Sequence, residues 1–503
     1  MRHIPTTMST QHPDNASAPR WESNGDGFVS VAEEIKECAW CFQGLKTQEF
    51  MWDWEGKYAD EAVIDKLFEQ YHDYFKKHEL GKDIFLTFRL PNVWKEKGYS
   101  LLRALMVVLT SEEFARDLEL HTPPLFEAIL PMTERAEQLM YVQDSFRKLA
   151  RFKSKTFTHS THPHSEMIHM IPLVEGVEHQ VSIRKLLERY AALHRHKFRS
   201  KLPYVRPFLA RSDPALASGL LATALANKHA LSDIALFSEE HQVPTFPIIG
   251  VGSLPFRGGL HPDRLESFLT QNAGVRTVTV QSAFRYDFSE SAVSRALQTL
   301  HQKLPKTETI IIAPRDRAGL KRVIKTASER YQISLRRMLK DVCPFFELVP
   351  RRRERRLHVG FLSYNRSVGT HQLPRAISFT AAFYSLGVPP EFIALGRTLA
   401  SLSPKELMLI DRYYPTLRDD VLEAGRFLNK ENIARLQKQN RVWASYSQDI
   451  EKAEHILGVT CAPRSTDDAV HGNLSSNLLL QKNDARAVRE LITRTGVLRR
   501  SLG

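Results

Sequence analysis

Short apolar runs in this sequence repeatedly end on a residue that could do chemistry. Arg89 follows Ile84–Phe88, Glu175 follows Ile171-Pro172-Leu173-Val174, and Arg211 and Asp213 follow Phe208-Leu209-Ala210. Arg257 lies in a glycine-rich stretch, and Gln281 and Arg285 follow Val280. Two carboxylates supply the sparse, hard oxygen ligands that Mg²⁺ or Mn²⁺ takes together with water. Arginines present a planar fork of donors that fits phosphate or carboxylate. Each acid also has a plain reading as a helix cap: Asp213 before Pro214 has the form of an N-cap followed by proline at the first helical position. The joint pattern favours a site.

The elements that would position these residues alternate. Strand-like runs fall at Ile84–Phe88, Ala128–Leu130, Ile168–Leu173, Tyr204–Leu209, Thr245–Ile249, Thr277–Val280, Thr309–Ile312, Phe345–Leu348 and His358–Leu362. Amphipathic segments lie between them; in one, Ile64, Leu67, Phe68, Tyr71 and Phe75 keep the spacing of a helix with one buried face. Eight or nine strand–helix repeats predict an α/β protein built on an enlarged (β/α)₈ TIM-type barrel. In such a barrel the chemistry sits where strands end. After Leu373 the strand signals stop, and Pro374–Leu386, Pro404–Tyr413, Thr416–Leu428 and Ile433–Asp449 read as helices. The expected division is a barrel region over 1–372 and additional α-helices over 373–503, packed together as one unit.

Composition bounds the partners. Of 503 residues, 42% are hydrophobic and 25% charged, which is ordinary globular composition. The length allows roughly three domains at about 150 residues each, or one large barrel with additions. Four cysteines, Cys38, Cys41, Cys343 and Cys461, are too few for a disulfide framework and fit a reducing compartment. Cys38 and Cys41 form a C-x-x-C with no second pair at zinc spacing, so they read as ordinary thiols on a helix. The start carries no apolar signal segment, and the richest apolar stretch, Leu101 to Leu109, is interrupted by Arg103. A cytoplasmic protein without membrane contact is expected. Seventy Lys+Arg against 57 Asp+Glu give a charge of +13, compatible with nucleic acid, anionic lipid or a small polyanion. Nucleic acid is disfavoured, because no binding module is present and the arginines are scattered at strand ends.

These motifs resemble the phosphoenolpyruvate carboxylases, in particular their short, archaeal-type branch. Thr10-Gln11-His12-Pro13 is similar to the family's T-x-H-P segment, and Phe85-Leu86-Thr87-Phe88-Arg89 to the strand ending in a substrate arginine. Ile171-Pro172-Leu173-Val174-Glu175 and Ala210-Arg211-Ser212-Asp213 resemble the segments carrying the two metal carboxylates. Gly252-Ser253-Leu254-Pro255-Phe256-Arg257-Gly258-Gly259 resembles the mobile loop with its catalytic arginine. Arg351 to Arg356, Leu373-Pro374-Arg375-Ala376-Ile377 and Arg499-Arg500-Ser501-Leu502-Gly503 resemble the late arginine-bearing segments and the terminus.

The resemblance implies the carboxylation of phosphoenolpyruvate by bicarbonate, through carboxyphosphate and the enolate of pyruvate, to oxaloacetate and phosphate. It implies His12, Arg257 and Arg89 as catalytic residues, with Glu175 and Asp213 as ligands of Mg²⁺ or Mn²⁺. Substrate would be bound by Arg211, Arg285, Gln281, Arg351, Arg375, Gly258 and Gly259, and the chain would form a homotetramer. A different phosphoenolpyruvate or enolate barrel is the competing enzyme reading. Two departures from the longer bacterial and plant form lower the positive charge near the phosphate. Val251 stands where that form has a first loop arginine, and no lysine closely follows Asp213.

Two stretches invite other readings. His159 to Glu166 contains a second T-H-P and a histidine cluster, but it precedes the Glu175 strand, whereas the family's histidine precedes every other motif; a solvated loop is expected. The arginine run at 351–356 has the form of a nucleic-acid patch, yet its place after an apolar strand favours an anion site at a barrel mouth. Pro5 to Pro13 would be a loose tail in a generic protein; the family reading requires it ordered inside the site.

Overall fold

The computed structural model describes residues 3–22, 25, 27–55, 59–96, 98–157, 166–354, 362–368 and 371–503. Its centre is a closed parallel barrel: β1 (Thr7–Thr10), β2 (Glu49–Asp53), β3 (Phe85–Arg89), β4 (Glu127–Leu130), β5 (His169–Val174), β6 (Phe208–Ala210), β7 (Ile248–Gly250) and β8 (Thr277–Val280). The strands follow one another in chain order, and β8 closes on β1 with Ser9 opposite Val280. The TIM-type barrel with added helices is therefore the fold.

Six strands lie where alternation puts them, and two do not. β1, Thr-Met-Ser-Thr, has no apolar run, yet all four residues are buried. β2 begins and ends on acids, Glu49 and Asp53, because both are held by arginines from other strands. Two expected strands fail. Residues 309–312 form an extended connection with Ile310 and Ile311 exposed, and 345–346 end the long helix Pro314–Phe346. His358–Phe361 lie outside the described residues. Leu362 opens β9 (Leu362–Val368), which pairs antiparallel with β10 (His371–Pro374) apart from the barrel. The Ile64–Phe75 stripe is two short helices, Val63–Gln70 and His72–Lys77, meeting at Tyr71.

The remaining chain is helical. Ser403 caps Pro404–Tyr413 with Glu406 reaching back, which satisfies the first free N–H groups. The expected helix 433–449 is two, Lys430–Gln439 and Val442–Leu457, broken where the Asn440 side chain accepts the Val442 N–H at 3.1 Å. Thr466–Leu480 and Ala485–Leu498 complete the chain. The helix Pro314–Phe346 shares one apolar core with these helices and with Ala215, Leu254 and Phe256 from the barrel loops. Cys38 and Cys41 sit buried and unpaired on the helix Glu34–Gln43, and all four cysteines are free. No helix among the described residues is long and apolar enough to cross a membrane.

Inside the barrel, two layers differ in chemistry. Met8, Met51, Ile129, Ile171, Leu173, Phe208, Ala210 and Ile248 form an apolar middle. Beneath it, at the strands' N-terminal ends, Arg206 donates to Glu49 at 2.6 and 3.0 Å, to Glu127 at 2.6 Å and to Thr277 at 3.1 Å, all fully buried. Tyr204 and Thr87 supply further hydroxyl donors to Glu127 and Glu49, each at 2.5 Å. This end of a barrel serves stability, and a buried charge cluster is costly to break because the survivors stay unpaired. Arg206→Met should therefore lower unfolding stability by about 3–5 kcal/mol, read by urea denaturation; a loss within error would show that the cluster holds nothing in place.

Candidate active site

At the opposite, C-terminal end of the strands lies a cavity of ≈ 870 Å³. His12, Arg89, Glu175, Arg211, Asp213, Arg257, Gln281 and Arg375 line its polar wall, while Met51, Leu173 and Phe208 from the barrel middle form its floor.

His12 is two residues beyond β1, so the segment that sequence composition leaves ambiguous is a barrel strand leading into the cavity. Its Nδ1 lies 2.9 Å from the Thr10 hydroxyl, and Nε2 makes no hydrogen bond among the described residues. The turn after it is pinned, with the His12 carbonyl accepting from Asp14 at 3.1 Å and from Ser282 at 3.3 Å. Burial, reinforced by Arg89, holds the imidazole well below its ordinary pKa, against the opposite pull of Asp53. It is thus neutral at neutral pH and able to accept a proton.

Arg89 ends β3 beside Asp53, which ends β2 in register with it. Nε and Nη2 donate to the two Asp53 oxygens at 2.9 and 2.6 Å, and Nη1 forms an ion pair with Glu55 at 2.9 Å. Burial opposes its charge, but Asp53 and Glu55 more than restore it. Asp53 is itself fixed, its N–H donating to Gln11 Oε1 at 2.9 Å. Arg375 arrives from the far end of the sequence, between β10 and the helix Ala376–Ser385. Burial pulls its pKa down, with Glu55 and Asp53 acting in the other direction.

Arg211 precedes the helix Ser212–Ser218, and its buried Nη1 has no hydrogen-bond partner among the described residues. Asp213 lies within the first turn of that helix rather than at its N-cap, which is Arg211, so the plain capping reading does not hold. Glu175 and Asp213 follow the adjacent strands β5 and β6 and line the cavity, where the further carboxylate among the described residues is Glu55, paired with Arg89. No soft ligand stands with them, so the donor set fits a hard divalent ion that keeps water and substrate oxygens. Among the described residues one group of three convergent ligands exists elsewhere, Glu188, Glu240 and His241, and there Arg184 already pairs with both acids.

Arg257 occupies the tight turn Pro255–Arg257 and is 1% exposed. Its guanidinium donates to Asp14 at 3.0 Å, Ser212 at 3.2 Å and Gln281 at 2.5 Å, and to the carbonyl of Gly503. Asp14 Oδ1 also takes the Ala283 N–H at 2.7 Å, which ties β1 to β8. A Cβ at Gly252 would lie 2.8 Å from the Arg257 Cζ, so this loop needs its glycine. At Gly258, φ is +113° and a Cβ would meet Val251 Cγ1 at 2.5 Å. Gly258 and Gly259 line a neighbouring, smaller cavity together with Arg211.

Besides Gly258 and Gly259, two residues expected in the site stand outside this cavity. Arg285 is buried, donating to Glu37 at 2.7 Å. Arg351 is exposed; of its run, Arg352 and Arg353 turn inward, to the Ala16 carbonyl at 2.6 Å and to Glu37 at 2.5 and 2.6 Å. Arg355 and Arg356, like His159–Ser165, fall outside the described residues, while Glu166 pairs with Arg151 at 2.9 Å. Asp14, Asp53, Glu55, Ser212 and Thr279 were not singled out by sequence. Asp14 adjoins the His12 motif and so carried a signal; Asp53 is hidden with its unrecognised strand.

A sequence model of a family described as phosphoenolpyruvate carboxylase matches residues 4–503. The phosphoenolpyruvate carboxylase of Leuconostoc mesenteroides is 44% identical over 503 residues, covering 100% of this chain and 99% of the relative. That of Metallosphaera sedula is 35% identical with both chains fully covered, and that of Pyrococcus horikoshii 36% identical over 85% of this chain and 89% of the relative. Among solved structures, malate synthase of Haloferax volcanii in its lead(II) complex is a distant likeness, with a TM-score of 0.38 and 11% identity over 90% of this chain and 99% of that one.

The environment of His12 makes a measurable statement. Nitrogen-edited NMR should find its ring neutral at pH 6.5 and titrating only at lower pH; a ring half-protonated at or above 6.5 would contradict the burial argument. Because its folded pKa lies below the unfolded value, His12 contributes stability that is present above about pH 6.5 and lost as pH falls from there through its lower folded pKa.

Proposed function

The chain belongs to the phosphoenolpyruvate carboxylase family, and on that footing we propose how its barrel mouth turns phosphoenolpyruvate and bicarbonate into oxaloacetate and phosphate. The observation that carries the reading is one cavity in which a neutral imidazole, the carboxylates of Glu55, Glu175 and Asp213, and four arginines converge.

The arginines divide the work. Arg89 is oriented by Asp53 and Glu55, and Arg257 by Asp14, Ser212 and Gln281, so both enter the reaction pre-aligned. Arg211 and Arg375 retain donors for the phosphoryl and carboxylate oxygens of substrate. A divalent ion, Mg²⁺ or Mn²⁺, held by Glu175 and Asp213, would supply further neutralisation of the phosphate and of developing enolate charge. With the phosphate charge masked, a bicarbonate oxygen bonds to phosphorus as the bond from phosphorus to the enol oxygen breaks, giving carboxyphosphate and the enolate of pyruvate. His12 takes the carboxyphosphate proton, its C–O(P) bond breaks, and CO₂ and phosphate separate. The enolate carbon then bonds to CO₂. Met51, Leu173 and Phe208 line the floor with no proton donor, which favours this capture over protonation to pyruvate. Val251 packs under Gly258, so the phosphate clamp here uses one loop arginine.

We extend the reading to cellular context. The barrel and the helical part work as one unit, since Arg375 reaches the cavity from beyond β10. A homotetramer is supported by an exposed stripe, Tyr99, Leu102 and Met106, on the helix Gly98–Asp117. A cytoplasmic, anaplerotic role follows from the reaction.

The test couples oxaloacetate to NADH oxidation through malate dehydrogenase. Purified protein with Mg²⁺ or Mn²⁺ should consume NADH only when phosphoenolpyruvate and bicarbonate are both present, and EDTA should abolish the signal until metal is restored; absence of oxaloacetate overturns the reading. His12→Asn should lose carboxylation by about 10²–10⁴-fold while retaining some phosphate release, and undiminished oxaloacetate would remove His12 from its role.

A further inference from the structure

A buried carboxyl outside the cavity holds the arginine turn from behind. Glu391 lies in the short turn Pro390–Phe392 of the helical part and is 1% exposed. Its Oε1 accepts the Phe256 backbone N–H at 2.8 Å and the Tyr384 hydroxyl at 2.5 Å, while Oε2 has no hydrogen bond among the described residues. Phe256 immediately precedes Arg257 in the same tight turn. Its ring packs on Phe379 at 5.8 Å and Tyr331 at 6.5 Å, so the helical part grips both its backbone and its side chain. No cation pairs with Glu391 among the described residues. The groups that face it are Tyr384 on Ala376–Ser385, Tyr331 on Pro314–Phe346, Tyr446 on Val442–Leu457 and Asp420 on Leu417–Gly425. Asp420 is already taken by Arg264 at 2.9 Å, and Asp449, which faces Tyr446, by Arg397 at 2.8 Å.

We propose that Glu391 is the positioning residue for Arg257: through the Phe256 N–H it sets where the arginine turn rests over the barrel mouth. The inference rests on the reading of Arg257 as a phosphate clamp. A neutral amide would make the same two acceptor contacts, so the carboxyl must contribute something more, and its charge is what differs. Burial pushes the carboxyl up to about 7, against the pull of the Tyr384 and Phe256 bonds. Ionised, it accepts both bonds with charge assistance and grips the turn more tightly; protonated, it relaxes that grip. Stability runs the other way. With the folded pKa above the unfolded one, Glu391 contributes stability below the ordinary carboxylate range that is lost as pH rises through about 7.

Steady-state carboxylation and thermal melts across pH separate this from a space-filling role. E391Q should remove a rising limb of kcat that the wild-type enzyme shows around pH 7, leaving the low-pH rate at every pH. Y384F removes a donor that favours the carboxylate, so it should move the same limb to higher pH. E391A, which removes the acceptor, should lower kcat roughly ten- to a hundredfold at all pH values and raise the KM for phosphoenolpyruvate. E391Q should also melt higher than wild type at pH 8 and no differently at pH 5. Limbs of kcat that coincide in wild type, E391Q and Y384F overturn the proposal, and should E391A not fold, those two conservative variants decide it. Failure of the wild-type enzyme to make oxaloacetate would instead overturn the function itself. Loss of activity in R257Q beside unchanged pH profiles in the Glu391 and Tyr384 variants would leave the function standing and dismiss only the positioning role.

Discussion

Desolvated arginine is the constraint around which this molecule is arranged. A guanidinium taken out of water is costly unless its charge is balanced by an opposite one. The protein meets that demand with acids from distant parts of the chain: Asp53 and Glu55 for Arg89, Asp14 for Arg257, Glu37 for both Arg285 and Arg353, and Glu49 and Glu127 for Arg206. These pairings tie strands, connecting segments and flanking helices to one another. The same accounting sorts the arginines by role. Those paired with buried acids are held in place, whereas Arg211 and Arg375 make no hydrogen bond to a carboxylate among the described residues, which leaves these two for the proposed substrate anion.

This constraint also explains what sequence could and could not reveal. Strands β3 to β8 were legible because their buried faces are filled by apolar residues in short runs between helical patterns. β1 and β2 were not, because their buried positions hold Thr7, Ser9, Glu49 and Asp53. Glu49 is buried only because Arg206, 157 residues away, meets it. No local pattern carries that information. The converse error has the same root: Ile310 and Ile311 have strand composition, but no neighbouring strand offers a ladder, and both remain exposed.

Within the site, residues at the ends of legible strands were placed well, and residues known only by their run were not. Arg89, Glu175, Arg211, Asp213 and Gln281 follow apolar runs, and the barrel carries them all to one mouth. The run beginning at Arg351 offers several equivalent arginines, and which of them turns inward depends on Glu34, Glu37 and the Ala16 carbonyl. Arg285 has the correct spacing after β8, yet it pairs with Glu37 and does not line the cavity. Strand-end position therefore predicts proximity to the mouth, while the nearest buried acid decides where the side chain points.

The helical part is accordingly more than a cover. It supplies Arg375 to the cavity, places the Gly503 carbonyl on Arg257, and holds Phe256 through Glu391. These contacts join residues separated by 135 and 246 positions, so they form only once barrel and helices have docked. Arg257 is the point at which the end of β1, the start of the helix after β6, the end of β8 and the close of the chain meet. Any shift of the helices against the barrel must therefore move this guanidinium or break its bonds. That makes Arg257 a direct reporter of whether the two parts are seated, and it gives a physical reason for keeping a helical extension on a barrel whose own strand ends already carry the two carboxylates and the histidine proposed for metal and base.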